Sequence, residues 1–248
     1  NERRHQLHEV IRLSGLNLVI DDLDMPLIIK VASIPKERIQ VYFIDNEDYF
    51  KRKGTYKSPD GQLFKDNDER AIFFAKGVLS TIKRLNWAPD IIHVHGWLSA
   101  FVPLYLRETY KDEPTFQNSK VITSIYGTGF AGSLNKKLLD KILFDEIEKN
   151  KIIGIKTPNY NNLMKIAIDF SDGLIVGSEK IAKQLEDYIN KSKITPIDPK
   201  TKLQEYSLKK FKKLPIYKMF KQTGPNHNPV FRVEVQISNS KKYLGFGK

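Results

Sequence analysis

The stretch Trp87-Ala-Pro-Asp-Ile-Ile-His-Val-His-Gly-Trp97, running on to Tyr105, leaves little freedom in how the middle of the chain folds. Asp90 to Val94 is a short, apolar, β-branched run, the pattern of a strand covered on both faces. Gly96 supplies a turn, and Leu98 to Leu106 has helical spacing with Pro103 as a local kink. His93 and His95 then fall at or just past the carboxyl end of a parallel strand, where open α/β sheets hold their ligands. A lone histidine there reads as a satisfied core residue, and Trp97 as simple packing. Two histidines flanking a strand-to-helix corner leave the core role and the ligand role equally open.

The flanking pattern repeats the strand-and-helix theme. A helix is predicted over residues 2–14 on Leu7, Val10, Ile11 and Leu13, then strands over Leu16 to Ile20 and Leu27 to Val31 about the acidic turn Asp21 to Asp24. Arg38 to Ile44 is a further strand, and Lys51 to Lys65 a surface loop. Asn67 or Asp68 would cap a helix reaching Leu85. Lys120 to Tyr126 is a strand leading into the glycine-rich loop Gly127 to Gly132, whose spacing is not that of a dinucleotide fingerprint and which reads as a plain loop. Helices over Lys136 to Glu148 and Tyr160 to Phe170, a strand over Gly173 to Val176, and a helix over Glu179 to Asn190 capped by Ser178 complete the series. Alternation of this kind implies an α/β fold, a Rossmann-like, mostly parallel sheet with helices on both faces.

Charge divides the chain. Of the formal net charge of +12, residues 193–248 carry 13 Lys+Arg against 3 Asp+Glu, whereas residues 1–192 carry 28 against 26. The first part suits uncharged or small ligands and the second suits polyanions. Domains are expected over 1–190 and 198–248, with a linker over 191–197. With no cysteine among 248 residues, disulfides, thiolate metal sites and cysteine nucleophiles are excluded. No apolar run approaches a membrane span and no secretory leader opens the chain, so a soluble cytoplasmic protein without membrane partners is expected. The first residue is not Met, and the chain reads as cut from something longer.

Several motifs in order resemble the catalytic domain of bacterial glycogen and plant starch synthases: Tyr42-Phe-Ile-Asp-Asn46, Phe50, Gly54 and Tyr56, Asp66-Asn-Asp-Glu-Arg70, the Trp87 to Trp97 stretch, and Ser171-Asp172 with Ile175-Val-Gly-Ser178. The resemblance covers residues 1–190. It implies the amino-terminal half of a GT-B glycosyltransferase, which moves glucose from ADP-glucose, its donor substrate, to an α-1,4-glucan; no other cofactor and no metal are implied. His95 matches the family's active-site histidine, Asp66 and Asn67 its Asp-Asn pair near the sugar, and the loop Tyr126 to Gly132, opening with Tyr126 and Gly127, its sugar-lining loop, with Trp97 beside them. Gly96 stands where the family usually has Asp, and Tyr126-Gly127 replaces a His-Asn pair. The family's Lys-x-Gly-Gly-Leu donor loop and its carboxy-terminal donor domain have no counterpart here, so turnover by this chain alone is not expected.

From Asp198 the text changes. A basic helix opens at Asp198-Pro199, and strands follow over Ile216 to Gln222, Val230 to Ile237 and Lys242 to Phe246. The order, the Lys-Thr-x-Leu-Gln-Glu-Tyr start and the loop Thr223-Gly-Pro-Asn-His-Asn-Pro229 resemble the double-stranded-RNA-binding domain of bacterial ribonuclease III, a small α+β unit, ending before its last helix. The resemblance implies that Thr201, Gln204 and Glu205 face one minor groove and Asn226, His227 and Asn228 the next. No nuclease motif accompanies it. The alternative to the synthase reading is therefore an RNA-binding module without nuclease activity.

Overall fold

The computed structural model describes residues 10–34, 37–127, 129–178, 180–192, 199–223, 230–238 and 242–247. The chain divides into two compact units, residues 1–195 and 196–248.

The first unit opens with an antiparallel meander, β1 (Val10–Ile20), β2 (Leu23–Ser33) and β3 (Gln40–Asp45). Asp21, at φ 58°, makes the two-residue turn between β1 and β2, a backbone position that a short polar residue tolerates. The helix predicted over 2–14 is corrected from residue 10 onward, which is strand; residues 1–9 lie outside the described residues. One face of the meander, Leu18, Ile20, Leu27 and Ile29, is buried. A short helix α1 (Glu47–Phe50) follows, with Asn46 accepting from the Tyr49 N–H as its cap.

The 18-residue helix α2 (Asn67–Arg84) lies on that face. Ala71, Ile72, Phe73, Ala75, Leu79 and Ile82 form its buried side. Gly77 permits the close approach: a Cβ there would sit 2.7 Å from Ile44 and 3.3 Å from Leu27. Asp66 takes the cap position, without a side-chain cap bond, so neither Asn67 nor Asp68 is the cap. The same helix packs against β1 and β3 and against the turn and helix that follow β4.

Those belong to a parallel sheet of order β4 (Ile91–His95), β5 (Lys120–Ile125), β6 (Gly173–Val176). Helices α3 (Val102–Glu108), α4 (Leu138–Leu143), α5 (Lys149–Ile152), α6 (Tyr160–Asp169) and α7 (Lys183–Lys191) connect and follow the strands. Two local expectations change. β4 alternates, with Ile92 and Val94 buried and Ile91, His93 and His95 exposed, so it is not covered on both faces. Pro103 sits in the first turn of α3, where its missing N–H costs nothing, and does not kink a longer helix. The helix expected over 136–148 is only α4, and α7 begins at Lys183 without a cap from Ser178.

A buried charge cluster ties α4 to α2. The Lys141 ammonium, with its side chain 5% exposed, lies 2.7 Å from Asp68 and 2.5 Å from Glu69, and Asp68 is fully buried. Burial pushes the Asp68 carboxyl up against the pull of Lys141. Burial also works against the charge on Lys141, but its bonds to the two carboxylates prevail and hold its proton above the usual lysine value. Just beyond α4, Asp145 accepts from Lys76 and from the Tyr105 hydroxyl, each at 2.5 Å.

The second unit is helix α8 (Pro199–Phe211) with the antiparallel sheet β7 (Ile216–Thr223), β8 (Val230–Gln236), β9 (Lys242–Gly247). The buried Ser207 hydroxyl donates to the Lys213 carbonyl, and Lys212 turns the chain at φ 55°. Leu203, Tyr206 and Phe211 of the helix segment meet Val235, Ile237 and Tyr243 around a cavity of about 330 Å³.

Both tryptophans lie in the first unit, so their fluorescence reports its unfolding alone. Lys141→Met should lower the stability of that unit by about 3–5 kcal/mol, because it strands a buried carboxylate. Lys51→Met, which removes an exposed pair, should change it by no more than about 0.5 kcal/mol. Urea titration followed by tryptophan emission checks both. Burial and the neighbouring Glu69 raise the Tyr49 hydroxyl, and burial and Asp145 raise that of Tyr105. Folded-state values above the unfolded one give stability that is complete below about pH 10 and lost as pH climbs through the folded values. In an alkaline titration, the part of the tyrosinate absorbance that disappears in Tyr49→Phe/Tyr105→Phe should therefore rise in step with loss of tryptophan tertiary signal, rather than before it.

Candidate functional site

The carboxyl ends of β4 and β5 meet the loop after α1 and the start of α6. Along β4 the side chains at 93 and 95 share one face, by the strand period of two. Their rings lie 4.0 Å apart between centroids. His93 Nε2 is 2.8 Å from the Ser124 hydroxyl, and His95 Nδ1 is 2.7 Å from the Tyr126 hydroxyl. Gly96 then turns the chain at φ 74°, ψ 165°, a region essentially closed to residues with a Cβ.

Trp97, 5% exposed, is held between two rings: Tyr56 at 4.8 Å and Phe130 at 4.8 Å. Phe130 meets Tyr160 edge-on at 6.0 Å. These rings, with Lys57 and Tyr126, line a cavity of about 410 Å³, within the range of small-ligand pockets. Among the described lining residues Lys57 is the one charged side chain.

The glycines of this corner serve close packing. The Gly127 N–H donates to the Ser178 hydroxyl at 3.0 Å, which is where that serine is used in place of the helix cap expected of it. A Cβ on Gly127 would lie 2.2 Å from the Lys180 carbonyl oxygen, one on Gly129 2.5 Å from the Tyr160 ring, and one on Gly177 2.5 Å from the Tyr126 ring. The Tyr160 hydroxyl donates to the Tyr126 carbonyl at 2.8 Å. Tyr126 is thus fixed through both its backbone and its ring, and its hydroxyl meets His95. Burial raises the Tyr160 hydroxyl, which stays a donor at neutral pH.

Of the residues singled out in the sequence, Trp97 and Tyr126 line the cavity, and His95 meets it through Tyr126. Gly127 lies beside it. Asp66 and Asn67 lie behind the Tyr56 loop. Asp66 forms a two-pronged pair with Arg52 at 2.9 and 2.8 Å. Asn67, 1% exposed, donates to the Tyr56 carbonyl at 2.9 Å and accepts from Arg70 at 2.6 Å. Their polar atoms hold the loop that carries Tyr56. Tyr160 and Lys57 carry no site signal in the sequence; Tyr56 has one within the family motif, and Phe130 has one through the loop Tyr126 to Gly132.

In the second unit Gln204 is half-buried and Glu205 exposed on α8. Thr201 lies on the same helix, and its side chain is outside the described residues, as are Asn226, His227 and Asn228 altogether. Lys209, Lys210, Lys212 and Lys213 are exposed at the helix end, with Lys210 3.0 Å from the Tyr206 hydroxyl. Among the described residues no group of three or more His, Asp or Glu side chains could hold a metal ion, and no helix is long and apolar enough to cross a membrane.

Residues 1–193 match the family described as starch synthase catalytic domain, and residues 199–248 match the double-stranded RNA binding motif. A glycogen synthase of Chlorobium luteolum is 39% identical over 148 residues, 59% of this chain and 30% of that protein. One from Chlorobaculum tepidum is 35% identical over 189 residues, 75% of this chain and 38% of that protein. The chain therefore spans well under half the length of these relatives. Among solved structures, the catalytic domain of starch synthase IV from Arabidopsis thaliana, bound to ADP and acarbose, shares the fold with a TM-score of 0.53 at 18% identity, over 68% of this chain and 34% of that one.

Gly127→Ala should cost the first unit about 1–3 kcal/mol, since the loop must move off Lys180. Gly154→Ala, where a Cβ meets open space, should stay within about 0.5 kcal/mol. Paired urea titrations compare the two.

Proposed function

The chain belongs, through residues 1–193, to the starch synthase catalytic domain family, and from that premise we propose that its first unit is a glucan-binding half of a glycogen or starch synthase. The sugar sits in the cavity beside His95. The observation that carries this is the lining: five aromatic side chains and one cation, with a neighbouring histidine whose Nδ1 is engaged by Tyr126. Aromatic faces suit the apolar faces of a pyranose, and His95 and Lys57 suit its hydroxyls. Glucosyl transfer from ADP-glucose also needs positioned cations on the leaving diphosphate. A single lysine at the cavity argues that donor activation is not supplied by these residues, and that the chain alone binds glucan without turnover.

Calorimetric titration with maltoheptaose or acarbose tests the reading. His95→Ala should weaken binding about tenfold, or ~1.4 kcal/mol. Glucose incorporation into glycogen from ADP-glucose should not exceed background. Unchanged affinity in His95→Ala would move the glucan elsewhere, and turnover by the chain alone would refute the assignment of donor chemistry to other residues.

For the second unit the reading is duplex RNA binding, supported by the match to the RNA binding motif and by the exposed lysines in and just after the last turn of α8. Thr201, Gln204 and Glu205, with the loop from Asn226 to Asn228, would face the minor grooves. Affinity should fall as salt rises, and duplex RNA should outcompete duplex DNA of equal length through its 2′-hydroxyls and A-form shape. Replacing Lys209, Lys210, Lys212 and Lys213 with Gln should flatten the salt slope by roughly 0.9 for every phosphate no longer neutralised. Filter binding at two salt concentrations with both duplexes decides: equal affinity for RNA and DNA leaves only a generic basic surface.

A further inference from the structure

At the opposite end of β4 from His95 is a second cavity, of about 600 Å³, lined by Arg12, Arg38, Gln40, Tyr42 and Trp87 with apolar neighbours. The five residues of β4 alone separate the two ends by about 16 Å at ~3.3 Å per residue. We propose that this cavity binds a phosphomonoester carried on a ring that can stack, the chemistry shared by a hexose phosphate and a nucleoside monophosphate. The inference is independent of the glucan reading.

Three observations converge on that chemistry. The first is charge. Two arginines line one cavity, and among the described residues neither Arg12 nor Arg38 takes part in an ion pair. Arg12 stands at a register shift between Ile11 and Leu13 on β1, an irregularity of the kind that re-aims a side chain. Guanidinium forks match phosphate oxygens two at a time.

The second is polarity. The Tyr42 hydroxyl donates to Gln40 Oε1 at 2.9 Å, which occupies the acceptor end of that amide and turns its NH₂ outward. The polar groups presented by Arg12, Arg38 and Gln40 are then all donors, as an anion requires.

The third is the platform. Trp87 is 54% exposed, and its backbone is fixed by the end of α2. Asn86 adopts φ 51°, its N–H donates to the Lys83 carbonyl at 3.0 Å, and the Trp87 N–H reaches back to the Ile82 carbonyl at 3.2 Å. This pair of hydrogen bonds closes a helix firmly and needs no exposed indole. The indole it leaves at the lip offers a flat face to a ring, and the adjoining Arg12 and Arg38 offer the phosphate its partners.

Trp87 is the exposed one of two tryptophans; because Trp97 lines the other cavity, the titration is run on Trp97→Phe, whose emission comes from Trp87 alone. The whole chain is titrated with glucose 1-phosphate, adenosine 5′-monophosphate, inorganic phosphate and glucose. Saturable quenching by one or both ring phosphates is expected, with inorganic phosphate weaker and glucose silent; the stronger of the first two identifies sugar or nucleotide. Arg12→Gln/Arg38→Gln should weaken binding about tenfold or more. If those glutamines disturb the sheet, as read by circular dichroism, Arg12→Lys/Arg38→Lys replaces them and should also weaken binding, because lysine keeps the charge but not the fork. His95→Ala should leave the quenching curve unchanged. Absence of saturable quenching, equal response to glucose and its phosphate, unchanged affinity in the arginine variants, or loss of the signal in His95→Ala would each overturn the proposal.

Discussion

A buried ammonium fixes how the 138–145 segment sits on the central helix. Lys141 finds two carboxylates, Asp68 and Glu69, on the first turn of α2, and one turn of chain later Asp145 finds Lys76 two turns further along the same helix. The two ties have opposite polarity, acid-on-α2 then base-on-α2. Sliding or reversing the 138–145 segment would bring like charges together out of water, which costs several kcal/mol per ion. Apolar packing among Leu138, Leu139 and Ile142 stabilises this arrangement without choosing its direction. The charge pattern chooses it, and through it the place of α6 and of the Tyr160 that α6 delivers to the cavity.

The cavity itself is built by mutual exclusion of side chains. Gly127, Gly129 and Gly177 each give way to a neighbour: a carbonyl, a tyrosine ring, another tyrosine ring. The same glycine-rich loop read in isolation invites comparison with phosphate cradles, yet its Gly127 N–H points to Ser178. What the packing produces is a rigid Tyr126 whose hydroxyl holds a histidine, surrounded by rings. Binding by such a surface draws on stacking and on a few oriented polar groups, and loses little entropy on occupation because the rings are already fixed.

Much of the frame is legible in the sequence where one period rules. β6 can be placed to the residue, since four apolar positions follow Ser171-Asp172, and α2 and α6 to within two residues because their apolar faces repeat cleanly. The start of the first strand, residues 10–14, reads wrongly as helix because register shifts between Ile11, Leu13 and Leu16 break its alternation, leaving apolar spacings of three that mimic a helix, whereas Leu16 to Ile20 reads correctly as strand. The helix expected over 136–148 stops early because Asp145 is held by Lys76 and Tyr105 and Glu146 turns at φ 62°, both consequences of tertiary packing. His95 can be named because it ends a strand, and Trp97 and Tyr126 because they lie in or beside the stretches that resemble the synthase family. Phe130 lies in the loop from Tyr126 to Gly132 with nothing to single it out there, and Tyr160, the first residue of α6, cannot be named, since its arrival at the cavity depends on the whole packing.

Gly96 carries a consequence for how this corner can change over generations. A carboxylate at that position is one codon base away, and the space around the glycine is open. The backbone, at φ 74° and ψ 165°, is nevertheless closed to any side chain without strain on the order of 1–3 kcal/mol. An aspartate there would therefore first have to flip the peptide that aims Trp97 between its two flanking rings. The site is epistatic in consequence: the neighbouring turn must relax before an acid is tolerated, and until it does the substitution only costs stability.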